Sequence, residues 1–456
     1  MRKEMFSHEI NILRDTYRRL LRRNAKINLK KLTGKTHPAD LAEVFRHFSI
    51  EEQIEIFSLM KENEHTAEFL VELDDALVIE LLENESYDRI ATIIEKAPTN
   101  DQSGILNILG NEKAQSIIEL LNAEEQEEIA EIMGYPDDSA GTLMNTEVFT
   151  LHESITAGEA IQTLQDQEGA EMVFYLYITD DDDRLVGVIS LRALTTTPSS
   201  TKLKDIMIKN IHSIRPETDQ EDVAKIVAQY NFLAVPVLDS DSKLLGIVTV
   251  DDVVDVIREE ATEDFLRMAG AGKDREILLK SSWENAKARL PWLFASWIGG
   301  IVAASIIGAF ENMLANILAL AAFIPVILGM GGNIATQSST IIVRGMATGR
   351  VNIGGEIKLI FKEIKVGLIL GSLYGILLGV FAKFAFTNAP DNLGFVVGLS
   401  ICASMIVAAT VGTIIPLILR KLDIDPAIAT GPFVTTSIDI LGVLFYFLIA
   451  GIFLRI

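Results

Sequence analysis

The most chemically loaded residue in the C-terminal part of the chain is Asp439, a carboxylate set within the apolar segment 427–454. It lies twelve residues into that stretch of twenty-eight, close to the midplane of a bilayer that the segment would cross. An ionised side chain there costs on the order of 2.5–3.5 kcal/mol even on a lenient insertion scale. Such a cost points to a functional return; the bland alternative is an Asp protonated or hydrogen-bonded between helices. On a helix, Thr435 and Thr436 fall one turn before Asp439, with Gly442 and Val443 one turn after it. That face is polar and slim, and it suits a hydrated cation. Magnesium dehydrates reluctantly and is held through one or two carboxylates with its waters kept. One Asp per subunit, doubled by two-fold symmetry, supplies such a site.

A second group of carboxylates precedes the apolar part. Asp252, Asp255, Glu259 and Glu263 recur three and four residues apart, and the apolar Val253, Val256 and Ile257 fit the other side of a helix. Packed near another acidic surface, this stripe is unstable unless cations bridge it; a solvated helix face is the alternative. The surrounding charge is lopsided. Residues 291–456 hold 9 Lys+Arg and 7 Asp+Glu, whereas 1–290 hold 31 and 56. Residues 1–31 take 10 basic and 3 acidic side chains, which leaves 32–290 with 21 against 53, a net charge of −32. That excess attracts cations and disfavours nucleic acid as a partner; solubility alone is its bland reading. The one cysteine, Cys402, lies in an apolar run, so there is neither a disulfide framework nor a CxxC metal site. The N-terminus lacks the apolar core and cleavage site of a signal peptide, and the front half is expected in the cytoplasm.

The elements that must position these groups follow from hydropathy. Apolar segments 291–310, 314–343, 366–386, 393–419 and 427–454 are each long enough to cross about 30 Å of hydrocarbon. By this division Asp439 is the only ionisable group deep within a span. The second segment contains Pro325 and the polar run Gly331–Thr340, and the fifth contains Pro432, Thr435, Thr436 and Ser437. Interrupted polar spans face protein or water rather than lipid. Basic loops (Lys280, Lys287, Arg289; Arg344, Arg350, Lys358, Lys362, Lys365; Arg420, Lys421) alternate with acidic or neutral ones, Lys383 excepted. The positive-inside rule then places the N-terminal part inside and Ile456 outside.

Residues 35–135 show short amphipathic helices, for example Ala39–Phe48, Ile50–Met60, Thr66–Leu73, Asp88–Ile94, Lys113–Leu121 and Glu124–Met133, with starts recurring every 21–28 residues. A small helical superhelix is expected. The basic segment 1–31, with Arg14, Arg18, Arg19, Arg22 and Arg23, reads as one helix that touches lipid headgroups, the acidic remainder or solvent alone. Residues 142–260 contain a duplication. The first copy has a strand at Phe149–Leu151, a helix at Ala157–Leu164, a strand at Met172–Ile178, an acidic turn Asp180–Asp183 and Leu185–Ser190. The second repeats this as Ile211–Ile214, Asp222–Gln229, Ala234–Leu238, Asp239–Ser242 and Leu244–Thr249. Met144 to Met207 is 63 residues and Gly187 to Gly246 is 59, so the copies keep step. This β-α-β-β-α duplication resembles a pair of CBS modules, which act as ligand-sensing regulators, often for adenine nucleotides.

From about residue 35 onward the chain resembles the MgtE family of magnesium channels and transporters. The marks are Gly331-Gly332-Asn333-Ile334-Ala335-Thr336-Gln337, Asp425-Pro426-Ala427, and Gly431-Pro432-Phe433-Val434-Thr435-Thr436-Ser437-Ile438-Asp439-Ile440-Leu441-Gly442. The resemblance implies a multi-domain fold: a basic N-terminal helix (1–34), an acidic α-helical superhelix (35–137), an α/β CBS pair (138–200 and 201–258), a connecting plug helix and linker (251–290), and a transmembrane domain of five helices (291–456). It implies a homodimer in the plasma membrane, with a Mg²⁺ pore on the two-fold axis lined by spans two and five. Asp439 then holds the pore ion, with Gly431 and Thr435 as neighbouring pore groups and Asp425 at the cytoplasmic mouth. It further implies that cytoplasmic Mg²⁺ gates the pore by bridging the N-terminal domain, CBS pair and plug helix. The implied ligands are Asp252, Asp255, Glu260, Glu263 and Asp264, the backbone carbonyl of Gly141, and Glu68 and Asp101. ATP at the CBS pair, with Arg192, Asn210 and Thr249 as candidates, is a further implication.

Other classes fare worse. An intramembrane aspartyl protease needs two membrane carboxylates, and a serine–histidine enzyme needs a membrane His, whereas all six His occur at or before His212. Gly329–Asn333 lacks the Lys-Ser/Thr of a phosphate loop. No enzyme is expected. A secondary exchanger of divalent cations coupled to protons or sodium stands as the alternative on the same scaffold, and a membrane receptor that only senses cations as a third.

Overall fold

Between residues 38 and 132 a new helix begins every 11 to 14 residues: α3 (Pro38–Phe45), α4 (Ile50–Phe57), α5 (Glu64–Val71), α6 (Asp75–Leu82), α7 (Tyr87–Ile94), α8 (Thr99–Ile108), α9 (Asn111–Ile118) and α10 (Ala123–Ile132). Side-chain caps stop and restart the chain at this short period. Ser49 and Glu52 form a reciprocal capping box, and Ser86 and Asn122 cap α7 and α10. Odd-numbered helices stack α3–α5–α7–α9, and even-numbered ones α4–α6–α8–α10, each helix against the next but one. Phe45, Phe57, Phe69, Leu82, Ile93 and Leu106 fill the space between with no exposure above 1%. The 21–28-residue recurrence in the sequence is therefore the period of a helix pair. The basic segment is two helices, α1 (Arg2–Arg22) and α2 (Lys26–Thr33), not one. Asn24 breaks it by taking a left-handed conformation, φ 49°.

The computed structural model describes residues 2–166, 175–271, 281–351, 355–422 and 424–454, in two units, Met1–Arg258 and Glu259–Ile456. After α11 (Ala140–Leu143) the first copy of the duplication folds as β1 (Thr150–His152), α12 (Ala157–Asp166), β2 (Tyr175–Thr179), β3 (Leu185–Ser190) and α13 (Leu191–Thr196). Strand β1 runs parallel to β2, which pairs antiparallel with β3. Met172 to Phe174 of the expected strand lie outside the described residues. The second copy has α14 (Leu203–Ile206), α15 (Gln220–Tyr230) and the antiparallel pair β4 (Ala234–Leu238) and β5 (Leu244–Thr249). Its expected first strand, Ile211–Ile214, shrinks to one bridge from Ile214 to Val237. Pro216 follows closely and removes a ladder donor.

The two acidic turns are built alike. Asp180 Oδ1 accepts from the amides of Asp182 and Arg184 at 2.9 and 3.0 Å, and Asp239 Oδ1 from those of Asp241 and Lys243 at 2.9 and 2.8 Å. The paired Leu-x-Gly motifs have a reciprocal role. A Cβ on Gly187 would lie 2.3 Å from Met207 Sδ, and one on Gly246 would lie 2.7 Å from the Asn145 carbonyl and 3.1 Å from Met144. Each copy's glycine thus makes room for the methionine segment that leads into the other copy.

The unit boundary falls inside α16 (Val250–Met268). In the second unit, α17 (Ser282–Ala309) starts ahead of Pro291, set by a capping box between Ser281 and Glu284. The second apolar segment is interrupted: α18 (Glu311–Asn316), a 3₁₀ turn Leu318–Phe323, then α19 (Ile324–Ala347). Tyr446 Oη donates at 2.8 Å to the Leu320 carbonyl of that turn, satisfying an acceptor that lipid could not. There follow α20 (Glu356–Ala385), α21 (Leu393–Lys421), a 3₁₀ turn Pro426–Thr430 and α22 (Pro432–Leu454). Five stretches are long and apolar enough to cross a membrane: Ser282–Ala309, Leu318–Ala347, Glu356–Ala385, Leu393–Lys421 and Pro432–Leu454. Pro432 begins the last helix instead of interrupting it, since proline suits the first helical position.

Candidate ion pathway and regulatory acidic site

Asp439 is the eighth residue of the 23-residue α22, about a turn short of its middle, because the segment before Pro432 is a 3₁₀ turn and not part of the helix. Val434, Ile438, Gly442 and Val443 turn into the bundle, while Asp439 is only half-buried at the margin of that face. Among the described residues no cation or donor pairs with its carboxylate. Gly331 of α19 lets the two helices meet here, since a Cβ on it would lie 2.9 Å from Ile438 Cγ2. Thr435 returns its hydroxyl to the Pro432 carbonyl at 3.1 Å, and Thr436 sits against Gly299 of α17. Of the threonine pair, Thr436 thus faces a neighbouring helix and Thr435 stays on the Asp439 side.

The polar run of α19 divides between two faces. Ile334, Ala335, Ser338 and Ser339 are buried, whereas Asn333, Gln337 and Thr340 are exposed along one side of the helix. Polar side chains exposed at membrane depth need water or protein against them. One carboxylate there escaped the hydropathy division. Glu363 lies within α20, which starts ten residues ahead of the expected span, and is 5% exposed. Ser338 Oγ donates to Glu363 Oε2 at 2.9 Å. Glu363 is the eighth residue of that 30-residue helix, so a second carboxylate lies within a membrane-length helix, nearer to its start than Asp439 lies to the start of the expected span 427–454. The signal that sequence reasoning passed over was helix continuity from Glu356 through Lys365 into the apolar run.

The second acidic group lies in the first unit, where the N-terminus of α8 meets the start of α16. Asn100 Nδ2 donates to Asp252 Oδ1 at 3.1 Å. The Thr249 hydroxyl and amide both donate to Asp252 Oδ2, so Asp252 doubles as the cap of α16. Beside them Asp101 is pushed up to about 7, first by burial and then by the carboxylates of Asp252, Asp251 and Asp255. Asp252 is raised as well, by burial first, against the lowering hydrogen bond from Thr249. Asn100 Oδ1 is buried without a hydrogen-bond partner among the described residues. An orphaned amide oxygen beside two crowded carboxylates is a set of hard oxygen donors, and it fits a Mg²⁺ ion that keeps several waters. Asn100 was missed from sequence because α8 lacks a clear amphipathic pattern.

The other expected ligands are dispersed. Asp255 is exposed and pairs with Arg258 at 3.1 Å, and Glu68 is exposed on α5. Gly141 is buried against the Tyr135 ring, and its amide donates to the Pro216 carbonyl at 2.8 Å. Glu260 and Asp264 lie half-buried on the second-unit part of α16. Glu263 is 7% exposed and pairs with Arg267, whose other nitrogen pairs with Asp425. Among the described residues no three His, Cys, Asp or Glu side chains converge at metal-ligating geometry. Arg192 and Asn210 are exposed, and Thr249 is occupied by Asp252, so no contact unites the three nucleotide candidates.

A helical N-terminal array, a duplicated α/β pair and five helices long and apolar enough to cross a membrane define the class as a multi-domain, multi-pass membrane protein. Family models agree: "Divalent cation transporter" matches residues 324–449, "MgtE intracellular N domain" 36–138, and "CBS domain" 140–198 and 203–259. The chain belongs to the MgtE family of magnesium transporters. It is 34% identical over 438 residues to a "Magnesium transporter MgtE" of Bacillus subtilis, covering 96% of each chain. Namesakes in Enterococcus faecalis and Thermus thermophilus are 40% and 37% identical and cover 73% and 75% of this chain, and 73% and 76% of their own. Among solved structures, the cytosolic domain of a Mg²⁺ channel MgtE in complex with ATP matches with a TM-score of 0.51 and 30% identity, covering 53% of this chain and 99% of that one. The soluble part of a magnesium transporter matches equally, with a TM-score of 0.51 and 29% identity, over 55% of this chain and 99% of that one. These relatives are magnesium transporters by name.

Proposed function

We propose that this chain forms a Mg²⁺-selective channel of the plasma membrane that closes when cytoplasmic Mg²⁺ occupies the acidic site at α8 and α16. The observation that carries the reading is the acidic cluster where α8 meets α16: Asn100 Nδ2 donates to Asp252 while its Oδ1 is buried without a hydrogen-bond partner among the described residues, and Asp101 beside them is crowded by Asp252, Asp251 and Asp255. Like charges brought together this way oppose the compact arrangement, and a bridging divalent cation reverses the sign of the interaction. The ion's preference for the compact arrangement then supplies the closing energy. Asn100, Asp101 and Asp252 are the core ligands, and Asp251 and Asp255 add field.

Asp439 is the pore carboxylate, with Thr435 and Gly431 alongside it. The exposed polar stripe Asn333, Gln337 and Thr340 supports a second copy of the chain across a wet two-fold axis, because lipid cannot satisfy those groups. The loop charges support an internal N-terminal region and an external C-terminus. The division at 34, 137, 200, 258 and 290 follows the same reading, as does ATP at the CBS pair, which the nucleotide-bound cytosolic relative supports. The test is Mg²⁺ flux in reconstituted liposomes. Neutralising Asp101, Asp252 and Asp255 together should leave a pore that conducts but closes poorly as Mg²⁺ rises on the side of the N-terminal region. Wild-type inhibition in that variant would remove this acidic site as sensor.

A further inference from the structure

The resemblance counts Glu263 and Asp425 among carboxylates that meet Mg²⁺, yet both carry a different cation. Arg267, in the last turn of α16, directs Nη2 to Glu263 one turn back and Nη1 to Asp425 Oδ2. The other oxygen of Asp425, Oδ1, accepts the Ala427 amide at 2.7 Å and so caps the 3₁₀ turn Pro426–Thr430. Both oxygens of Asp425 are therefore taken. A guanidinium is planar, permanently charged and suited to bridging two carboxylates. A Mg²⁺ ion, which demands an octahedral oxygen shell, would have to displace it and would be repelled by it.

The place of this bridge matters. The capped turn runs into Gly431 and Pro432, where α22 and its Asp439 begin. A Cβ on Gly431 would lie 3.3 Å from the Met268 carbonyl, and one on Gly270 would lie 2.9 Å from Pro432 Cδ. Met268 packs against the cluster that Ile342, Val343 and Met346 at the foot of α19 form with Leu417 and Ala427. The end of α16 thus rests on the feet of both helices that carry the candidate pathway.

We infer that Arg267 is a positioning residue, an internal cation that clamps α16 to the foot of α22 through Asp425 and Glu263 without Mg²⁺. This rests on the gating reading above and assigns the regulatory ion to the other carboxylates only. Two readouts separate the clamp from that reading. The first is hydrogen exchange of the 425–430 amides in the full-length protein with all divalent cations chelated. Arg267→Gln should speed that exchange by about tenfold or more, the effect of a lost charge-assisted pair. Arg267→Lys should recover part of it, and the charge swap Arg267→Asp with Asp425→Arg should be better protected than Asp425→Arg alone, yet short of wild type, because an arginine at 425 cannot accept the Ala427 amide. The second readout is Mg²⁺ flux in liposomes. Arg267→Gln and Asp425→Arg should each leave the pore less completely shut at saturating Mg²⁺ on the cytoplasmic face, and the swap should close it again. A swap no better than Asp425→Arg alone in both readouts would overturn the clamp, because a lost metal ligand cannot be repaired from position 267. Unchanged exchange in Arg267→Gln would overturn it too. If exchange behaves as described but wild type shows no inhibition by Mg²⁺, the clamp stands and the gating reading falls.

Discussion

Asp101→Asn should make the metal-free protein more stable around α8, an outcome opposite to that of most changes at a half-buried polar site. Asp101 is raised from 3.8 to about 7 by burial and by three neighbouring carboxylates. That difference corresponds to about 4 kcal/mol at full weight, and partial exposure and screening reduce it to about 2 kcal/mol. The folded-state value lies above the unfolded one, so ionisation costs the folded state. The cost is absent below about pH 4, grows as pH rises, and is complete above about pH 7. Asparagine keeps the shape and removes the charge. In chelated full-length protein near pH 8, exchange of the α8 amides should therefore slow by about thirtyfold in Asp101→Asn. Near pH 5.5 the free-energy gap should fall to about half. Adding Mg²⁺ should slow exchange strongly in wild type and weakly in the variant. Equal exchange in the two proteins near pH 8 would refute the argument that like charges oppose this site, and a gap that failed to shrink on acidification would refute the electrostatic origin.

Two further outcomes concern the membrane unit. Asp439→Ala should abolish Mg²⁺ flux, and Asp439→Asn should weaken the preference for divalent ions by removing the Coulomb attraction while keeping acceptor geometry, both in correctly inserted protein. Glu363→Leu should lower thermal stability by about 1–3 kcal/mol by orphaning the Ser338 hydroxyl, whereas Glu363→Gln, which keeps an acceptor, should lose less than half of that, as read by melting in detergent.

Much of the architecture was legible because its signals are local. Five long apolar segments, short capped helices and a duplicated hairpin each announce themselves within about twenty residues. The second hairpin's missing strand and the break at Asn24 were not legible, because one proline and one left-handed residue decided them against the surrounding pattern. In the site, Asp439 was visible because a carboxylate in an apolar run stands out. Glu363 was hidden because the lysines around it made the start of α20 look like a loop. Asn100 was hidden for another reason: α8 lacks a clear amphipathic pattern, and the acidic stripe that holds its partner Asp252 is far away in sequence. Arg267 could be counted as a basic residue in an acidic helix, but only the fold brings it to Asp425.

The most direct test of the account is Mg²⁺ flux through the wild-type chain in liposomes with a Mg²⁺ gradient and no proton or sodium gradient. The reading predicts flux under that gradient alone, falling steeply as Mg²⁺ is raised on the side that bears the N-terminal region. Flux that required a coupled ion gradient would contradict the channel, and flux indifferent to Mg²⁺ on that side would contradict the sensor.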